Sequence, residues 1–200
     1  TVAGELDAAT LDISGNADID GTLEADAYTL GGTSFIKIEG TNFTDSLLVG
    51  HTTTGTLDAA SGNTIVGIDA GDAITAGDNN VAVGYQAGTT LTSANNNTAI
   101  GKSALYTSST GAQNTALGKD ALKLTTGSYN TALGYTAGIN ITSGDGNVII
   151  GDINADSATG DRQLLIAGND GSTLTTWISG DSSGNVTMPA ELAAVSLDIS

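Results

Sequence analysis

Asn97-Thr-Ala-Ile-Gly101 returns as Asn114-Thr-Ala-Leu-Gly118 and again as Asn130-Thr-Ala-Leu-Gly134. Outward from these, the same frame reads Asn63-Thr-Ile-Val-Gly67, Asn80-Val-Ala-Val-Gly84 and Asn147-Val-Ile-Ile-Gly151, with looser copies at Asp45-Ser-Leu-Leu-Val-Gly50 and Gln163-Leu-Leu-Ile-Ala-Gly168. The eight glycines stand 17 residues apart, with one gap of 16. A fixed period of this kind marks a repeat architecture. Seventeen residues are too few for two packed helices but hold two short strands and two turns. Each repeat therefore reads as one coil of a stacked structure, and the predicted fold class is all-β: a parallel β-roll or β-solenoid of about eight coils.

Side chains alternate along a strand, so the residues between Asn and Gly divide into two sets. The residue before each Gly is apolar and usually large (Val49, Val66, Val83, Ile100, Leu117, Leu133, Ile150, with Ala167 the exception), and the expectation is that it points at a core. The residue before that is mostly Ala (Ala82, Ala99, Ala116, Ala132), expected on the opposite face where another coil or chain comes close. A further Ala follows three residues after most of the glycines, at Ala70, Ala87, Ala104, Ala121 and Ala137. Asn and Gly suit the corners of the coil, because Asn bonds its own backbone and Gly adopts positive φ without steric cost. Stacked from coil to coil, identical Asn amides also pair as a ladder.

Composition narrows the function. The net charge is −17, from 22 acids against five bases, which disfavours nucleic acid as a partner and keeps slender particles apart in solution. With no Cys, neither a disulfide nor a thiolate metal site holds the fold. Aromatic residues are 4% and Pro occurs once, while small polar residues dominate, which suits a slim fibre more than a globule. No apolar run approaches the roughly 20 residues of a membrane span, so membrane insertion is not expected. His51 is the lone His, no Ser sits in a nucleophile motif, and the acids lie in turns, so no enzyme activity and no cofactor are expected.

The chain divides into a β-rich shaft or cap segment over 1–44, the ladder over 45–168 and a second β-rich shaft segment over 169–200. In the first, Thr33 to Glu39 reads as a strand, with Phe35 and Phe43 plugging the entrance to the ladder. Asn16, Asp18, Asp20 and Gly21 copy the early positions of a calcium loop, but Ala27 stands where a bidentate Glu is needed, so these are read as solvated turn acids and no metal is expected. Two strand-like runs follow Gly168, and Trp177 between ladder and flank reads as a packing cap. Glu191 to Ser200 matches Glu5 to Ser14 at an offset of 186 residues, as expected of a window on a tandem array in a longer parent or, alternatively, of a fibre built from shorter chains whose ends share a motif.

One surface stands out as a candidate site. The residues that follow the ladder glycines are His51, Ile68, Tyr85, Lys102, Lys119, Tyr135, Asp152 and Asn169, which stacking would align in a vertical stripe. Tyr85, Lys102, Lys119 and Tyr135 at its centre suit contact with a sugar or an anionic polymer. The alternative is a solvent face on which their apolar stems cover coil edges.

The Asn-Thr-Ala-Leu-Gly ladder resembles repeats of bacteriophage tail-fibre proteins and, more distantly, the head repeats of trimeric autotransporter adhesins. The run Leu11-Asp-Ile-Ser-Gly-Asn-Ala-Asp-Ile-Asp-Gly-Thr-Leu-Glu-Ala25 resembles shaft segments of marine phage tail fibres. The resemblance implies a parallel homotrimer about one axis, each ladder a left-handed β-roll with its small-residue strands at the three-fold interface. It further implies an extracellular location on a virion tail fibre, and attachment to a host glycan or receptor through another part of the fibre. The alternative is a bacterial surface adhesin or extracellular filament whose β-roll itself binds host, matrix or glycan, and a third reading is a single-chain β-solenoid.

Overall fold

The computed structural model describes residues 28–30, 33–40, 43–49 and 59–188, with side chains described for 46–49 and 59–188. The calcium-like turn at 16–21, His51 and the paired motifs beginning at Glu5 and Glu191 lie outside the described residues, as do the side chains of Phe35 and Phe43.

Among the described residues thirteen strands form one sheet. It opens with β1 (Tyr28–Leu30), β2 (Thr33–Gly40) and β3 (Phe43–Val49), paired antiparallel, and β4 (Ala60–Ser61) pairs parallel beside the start of β3. Then come β5 (Thr64–Val66), β6 (Val81–Val83), β7 (Thr98–Ile100), β8 (Thr115–Leu117), β9 (Thr131–Leu133), β10 (Val148–Ile150) and β11 (Leu164–Asn169). From β3 to β11 every pairing along this series is parallel and in register, giving eight rungs that bound seven turns of a β-solenoid. The sheet closes antiparallel again through β12 (Leu174–Gly180) and β13 (Val186–Thr187). Both ends of the stack thus reverse direction, which withholds a bare parallel edge from further strand addition.

From β5 to β10 each coil contributes one three-residue strand rather than two strands. After Gly67, Gly84, Gly101, Gly118 and Gly134 the backbone turns left-handed at the second residue (Gln86 φ 58°, Ser103 φ 56°, Asp120 φ 58°) and again at the fourth (Gly88 φ 56°, Leu105 φ 50°, Leu122 φ 47°). Short-range bonds such as Ala87 N–H to Gly84 O (3.2 Å) and Leu91 N–H to Gly88 O (3.1 Å) close this stretch into successive turns. Coils still bond to one another here, as in Gly88 N–H to Ala104 O at 2.8 Å, but through separate contacts rather than a strand ladder.

The strands also face the opposite way from the sequence expectation. Ala82, Ala99, Ala116 and Ala132 are fully buried, while the large residues before the glycines look outward, Ile100 36% and Leu117 46% exposed. A 17-residue coil is narrow, and its interior is filled from the turn side. Ala70, Ala87, Ala104, Ala121 and Ala137 are buried with the strand alanines and with Ile65 and Ile149, and the turn of each of these coils adds one long aliphatic side chain.

That aliphatic comes from one of two places. In the coils that begin at Gly67, Gly84 and Gly134 the fourth following residue is Gly71, Gly88 or Gly138, and the seventh is Ile74, Leu91 or Ile141. In the coils that begin at Gly101 and Gly118 the fourth is Leu105 or Leu122, and the seventh shrinks to Ser108 or Thr125. All ten are buried in the coil. The two arrangements exclude each other, since a Cβ on Gly88 would lie 2.5 Å from Leu91 Cδ1. Each such buried Leu or Ile contributes roughly 1.5–3 kcal/mol.

The ladder Gly is required by the stacking itself. Gly101 has φ +127°, and a Cβ there would come within 2.6 Å of the Gly118 carbonyl in the next coil. At the far end Gly168 has a Trp177 ring where its Cβ would be, at 2.5 Å. Trp177 lies against the last rung with half its surface exposed.

Candidate functional site

Two polar ladders run along the stack, and the first is the Asn series. Asn63, Asn80, Asn97, Asn114, Asn130 and Asn147 are buried to 1% exposure or less. Each Oδ1 accepts two donors from the coil above: Asn80 N–H (2.9 Å) and Asn80 Nδ2 (3.1 Å) on Asn63, for example. The Nδ2 also donates across its own coil, as from Asn80 to Ala94 O (2.8 Å) or from Asn130 to Gly144 O (2.9 Å). Because the amide is neutral, a column of them stacks without the repulsion that carboxylates would meet in an acidic chain. Ser46 begins the column, its Oγ accepting Asn63 N–H at 2.8 Å. Gln163 ends it, donating from Nε2 to Asn147 Oδ1 and Gly160 O while its Oε1 accepts Ser157 N–H.

The second ladder escapes the Asn-to-Gly reading. Two residues before each ladder Asn or Gln stand Ser61, Asp78, Asn95, Ala112, Ser128, Asp145 and Asp161. Here the side chain accepts the N–H of the coil below: Ser61 N–H to Asp78 Oδ1 (2.8 Å), Asp78 N–H to Asn95 Oδ1 (2.6 Å), Ser128 N–H to Asp145 Oδ1 (2.6 Å) and Asp145 N–H to Asp161 Oδ1 (2.8 Å). The two columns therefore stitch the coils in opposite directions. Six of the seven positions carrying a short side-chain acceptor was the signal. These ladders account for the polar repeat residues as structure.

The outer sheet face is different in character. Register aligns Val49, Val66, Val83, Ile100, Leu117, Leu133, Ile150 and Ile166 in one column, and Leu47, Thr64, Val81, Thr98, Thr115, Thr131, Val148 and Leu164 in the other. None of these positions carries a charge, in a chain whose net charge is −17. At about 4.8 Å per rung the strip is about 34 Å long.

Next to it, past the Gly corner, the stripe expected from sequence forms. Ile68, Tyr85 and Tyr135 are exposed, Lys102 Nζ lies 5.6 Å from the Tyr85 ring centre and Lys119 Nζ lies 4.7 Å from that of Tyr135. Both lysines thus rest on aromatic faces of adjoining coils. Beneath them Asp120, itself buried, accepts Lys119 Nζ (2.6 Å) and Lys123 Nζ (3.0 Å). Burial pushes the Asp120 carboxyl up, but the hydrogen bonds from Lys119 and Lys123 outweigh it and hold the group below the usual carboxylate value. The same bond to Asp120 raises the Lys119 ammonium, with a smaller contribution from Tyr135. Farther along, Asp152 is held by Thr136 Oγ1 and Asn169 Nδ2, and so closes the stripe with a satisfied acid.

A shallow cleft of about 670 Å³ lies where the β12 strand leaves the last turn, lined by Thr136, Ile139, Asp152, Asp156, Leu174 and Thr176 among others. Of its two carboxylates, Asp152 is already committed to Thr136 and Asn169. Among the described residues no three His, Cys, Asp or Glu side chains gather as a metal site. Comparison of the chain with protein-family models, with curated proteins and with solved structures gives no match.

Proposed function

We propose that this chain is a structural segment of a long extracellular fibre, a tail-fibre shaft of a virion, in which three parallel copies pack about a common axis through the outer sheet face. The observation that carries the reading is the uncharged aliphatic column from Val49 to Ile166. Copies of a chain at −17 repel one another wherever their acids meet. A face free of charge for the whole length of the ladder lets them approach, and removing Ile100, Leu117 and their neighbours from water supplies the driving force.

The expected interface at the strand alanines is replaced by this one, because the alanines lie inside the coil. In-register rungs, ladders bonded in both directions and antiparallel strands at either end suit a stiff element that transmits force rather than a site that turns over substrate. Antibody raised against residues 59–188 tests the assignment by electron microscopy. Decoration of thin fibres on purified virions is the expected result; decoration confined to a bacterial surface would replace it with the adhesin reading.

A further inference from the structure

The acids of this chain are unevenly placed. Between Asn79 and Gly144 the only acid is Asp120, whereas Lys102, Lys119 and Lys123 all fall there. Three cations against one anion give this middle section a net charge of +2 in a chain of −17. Tyr85, Tyr106, Tyr129 and Tyr135 fall in the same section. If the lysines served only to balance acids, they would be expected beside the 21 carboxylates that lie elsewhere. If they served only to cover coil edges, nothing would require acids to be missing around them.

We propose that the stripe Tyr85–Lys102–Lys119–Tyr135, with Lys123 beside it, is a binding site for an acidic polysaccharide lying along the stack. Four successive coils supply an aromatic ring, two ammonium groups and a second ring in that order, over about 14 Å. The Tyr85 and Tyr135 rings, about half exposed with a lysine over one face, offer their remaining surface to the C–H side of a pyranose and their hydroxyls to its edges. Lys102 and Lys119 carry the charge that a carboxylate or sulfate on the sugar requires. Asp120 is a positioning residue, because it anchors Lys119 and Lys123 by their ammonium groups. A duplex carrying about one charge per 1.7 Å would run onto the acidic turns beyond both ends of the section, so the sparser charge of a glycan fits better. The site lies within one chain and stands whether or not copies associate.

Calorimetry with a tetramer of galacturonate, a neutral maltotetraose and a short single-stranded DNA tests the proposal on the whole chain. The galacturonate tetramer should bind, less tightly as salt is raised, and the neutral sugar should not. Lys102→Gln with Lys119→Gln, and separately Tyr85→Ala with Tyr135→Ala, should each weaken binding by at least about tenfold. Arg162→Gln, which removes a base outside the stripe, should leave it unchanged. All the altered side chains are exposed, so each variant should keep the parent's circular-dichroism spectrum; only the variant lacking Lys119 should melt lower, because Asp120 then keeps Lys123 alone. No binding of the charged sugar at millimolar concentration, binding that neither double variant changes, or DNA bound more tightly than the sugar would each overturn the proposal.

Discussion

Asn97 Oδ1 accepts both donors that Asn114 presents to it, the backbone N–H at 2.9 Å and the side-chain Nδ2 at 3.2 Å, and both residues are fully or almost fully buried. Asn114 in turn donates to Gly127 O at 2.9 Å and accepts two bonds from Asn130. One side chain thus satisfies groups in three coils.

Asn114→Ala leaves buried donors on Asn130 and a buried carbonyl on Gly127 without partners. At about 1–3 kcal/mol for each buried group left unmade, partly offset by relaxation, the loss should be about 3 kcal/mol or more in urea unfolding. Asn114→Asp keeps the acceptor but buries a charge and forfeits both Nδ2 donations, so it should be at least as damaging at neutral pH and milder where the carboxyl is protonated.

The exchange between the fourth and seventh residues of the turn predicts a rescue. Leu122→Gly relieves a left-handed Leu at φ 47° but empties the coil, and should cost about 2–5 kcal/mol. Adding Thr125→Ile copies the Gly138 and Ile141 pairing of the next coil, and should restore most of the loss. A coupling energy of about 0.5–3 kcal/mol in the double-mutant cycle is the expected reading; strict additivity would show that the two positions do not share one space.

Ala112 interrupts the second ladder, because a methyl offers no acceptor to the coil below. Ala112→Asp or Ala112→Asn should complete the rung with Asn95 N–H and raise stability by about 0.5–1.5 kcal/mol, measured by the denaturation midpoint.

Among the described residues three carboxyls contribute a definite pH dependence. Asp120, Asp170 and Asp181 are all held below the ordinary value of 3.8. For Asp170 the cause is its bonds from Thr173 and Ser172 N–H, and for Asp181 it is Asn185. Such groups contribute stability that is present above 3.8 and lost as pH falls through their lower folded values. Their contribution to the melting temperature should therefore be level from neutrality to about pH 4 and decline below it. Asp120→Asn should remove part of that decline. Lys119 works in the other sense: its contribution is present below 10.5 and lost as pH rises through its raised folded value.

How far the sequence reveals this molecule depends on which constraint a residue answers to. Asn97 and Gly101 answer to the backbone, one by bonding the neighbouring coil and the other by admitting its carbonyl, so their period announces the solenoid directly. Ala99 and Ile100 answer to volume. Alternation says that they face opposite ways, yet only the width of the coil decides which is inside, and that width is set by Leu105 across the turn. The paired change from Gly88 and Leu91 to Leu105 and Ser108 carried that information in the sequence as a swap of bulk between two positions. In the stripe, sequence order placed Tyr85, Lys102, Lys119 and Tyr135 in one column. It was the fold that brought Lys102 and Lys119 onto the rings and Asp120 beneath Lys119 and Lys123.

Association through the outer face is the central claim, and light scattering over a dilution series measures it most directly. The account predicts a native mass of three times the 19.7 kDa chain that persists on dilution, and its collapse to a single chain when Leu117→Asp places a charge in the aliphatic column. A parent chain that stays monomeric at every concentration would contradict it.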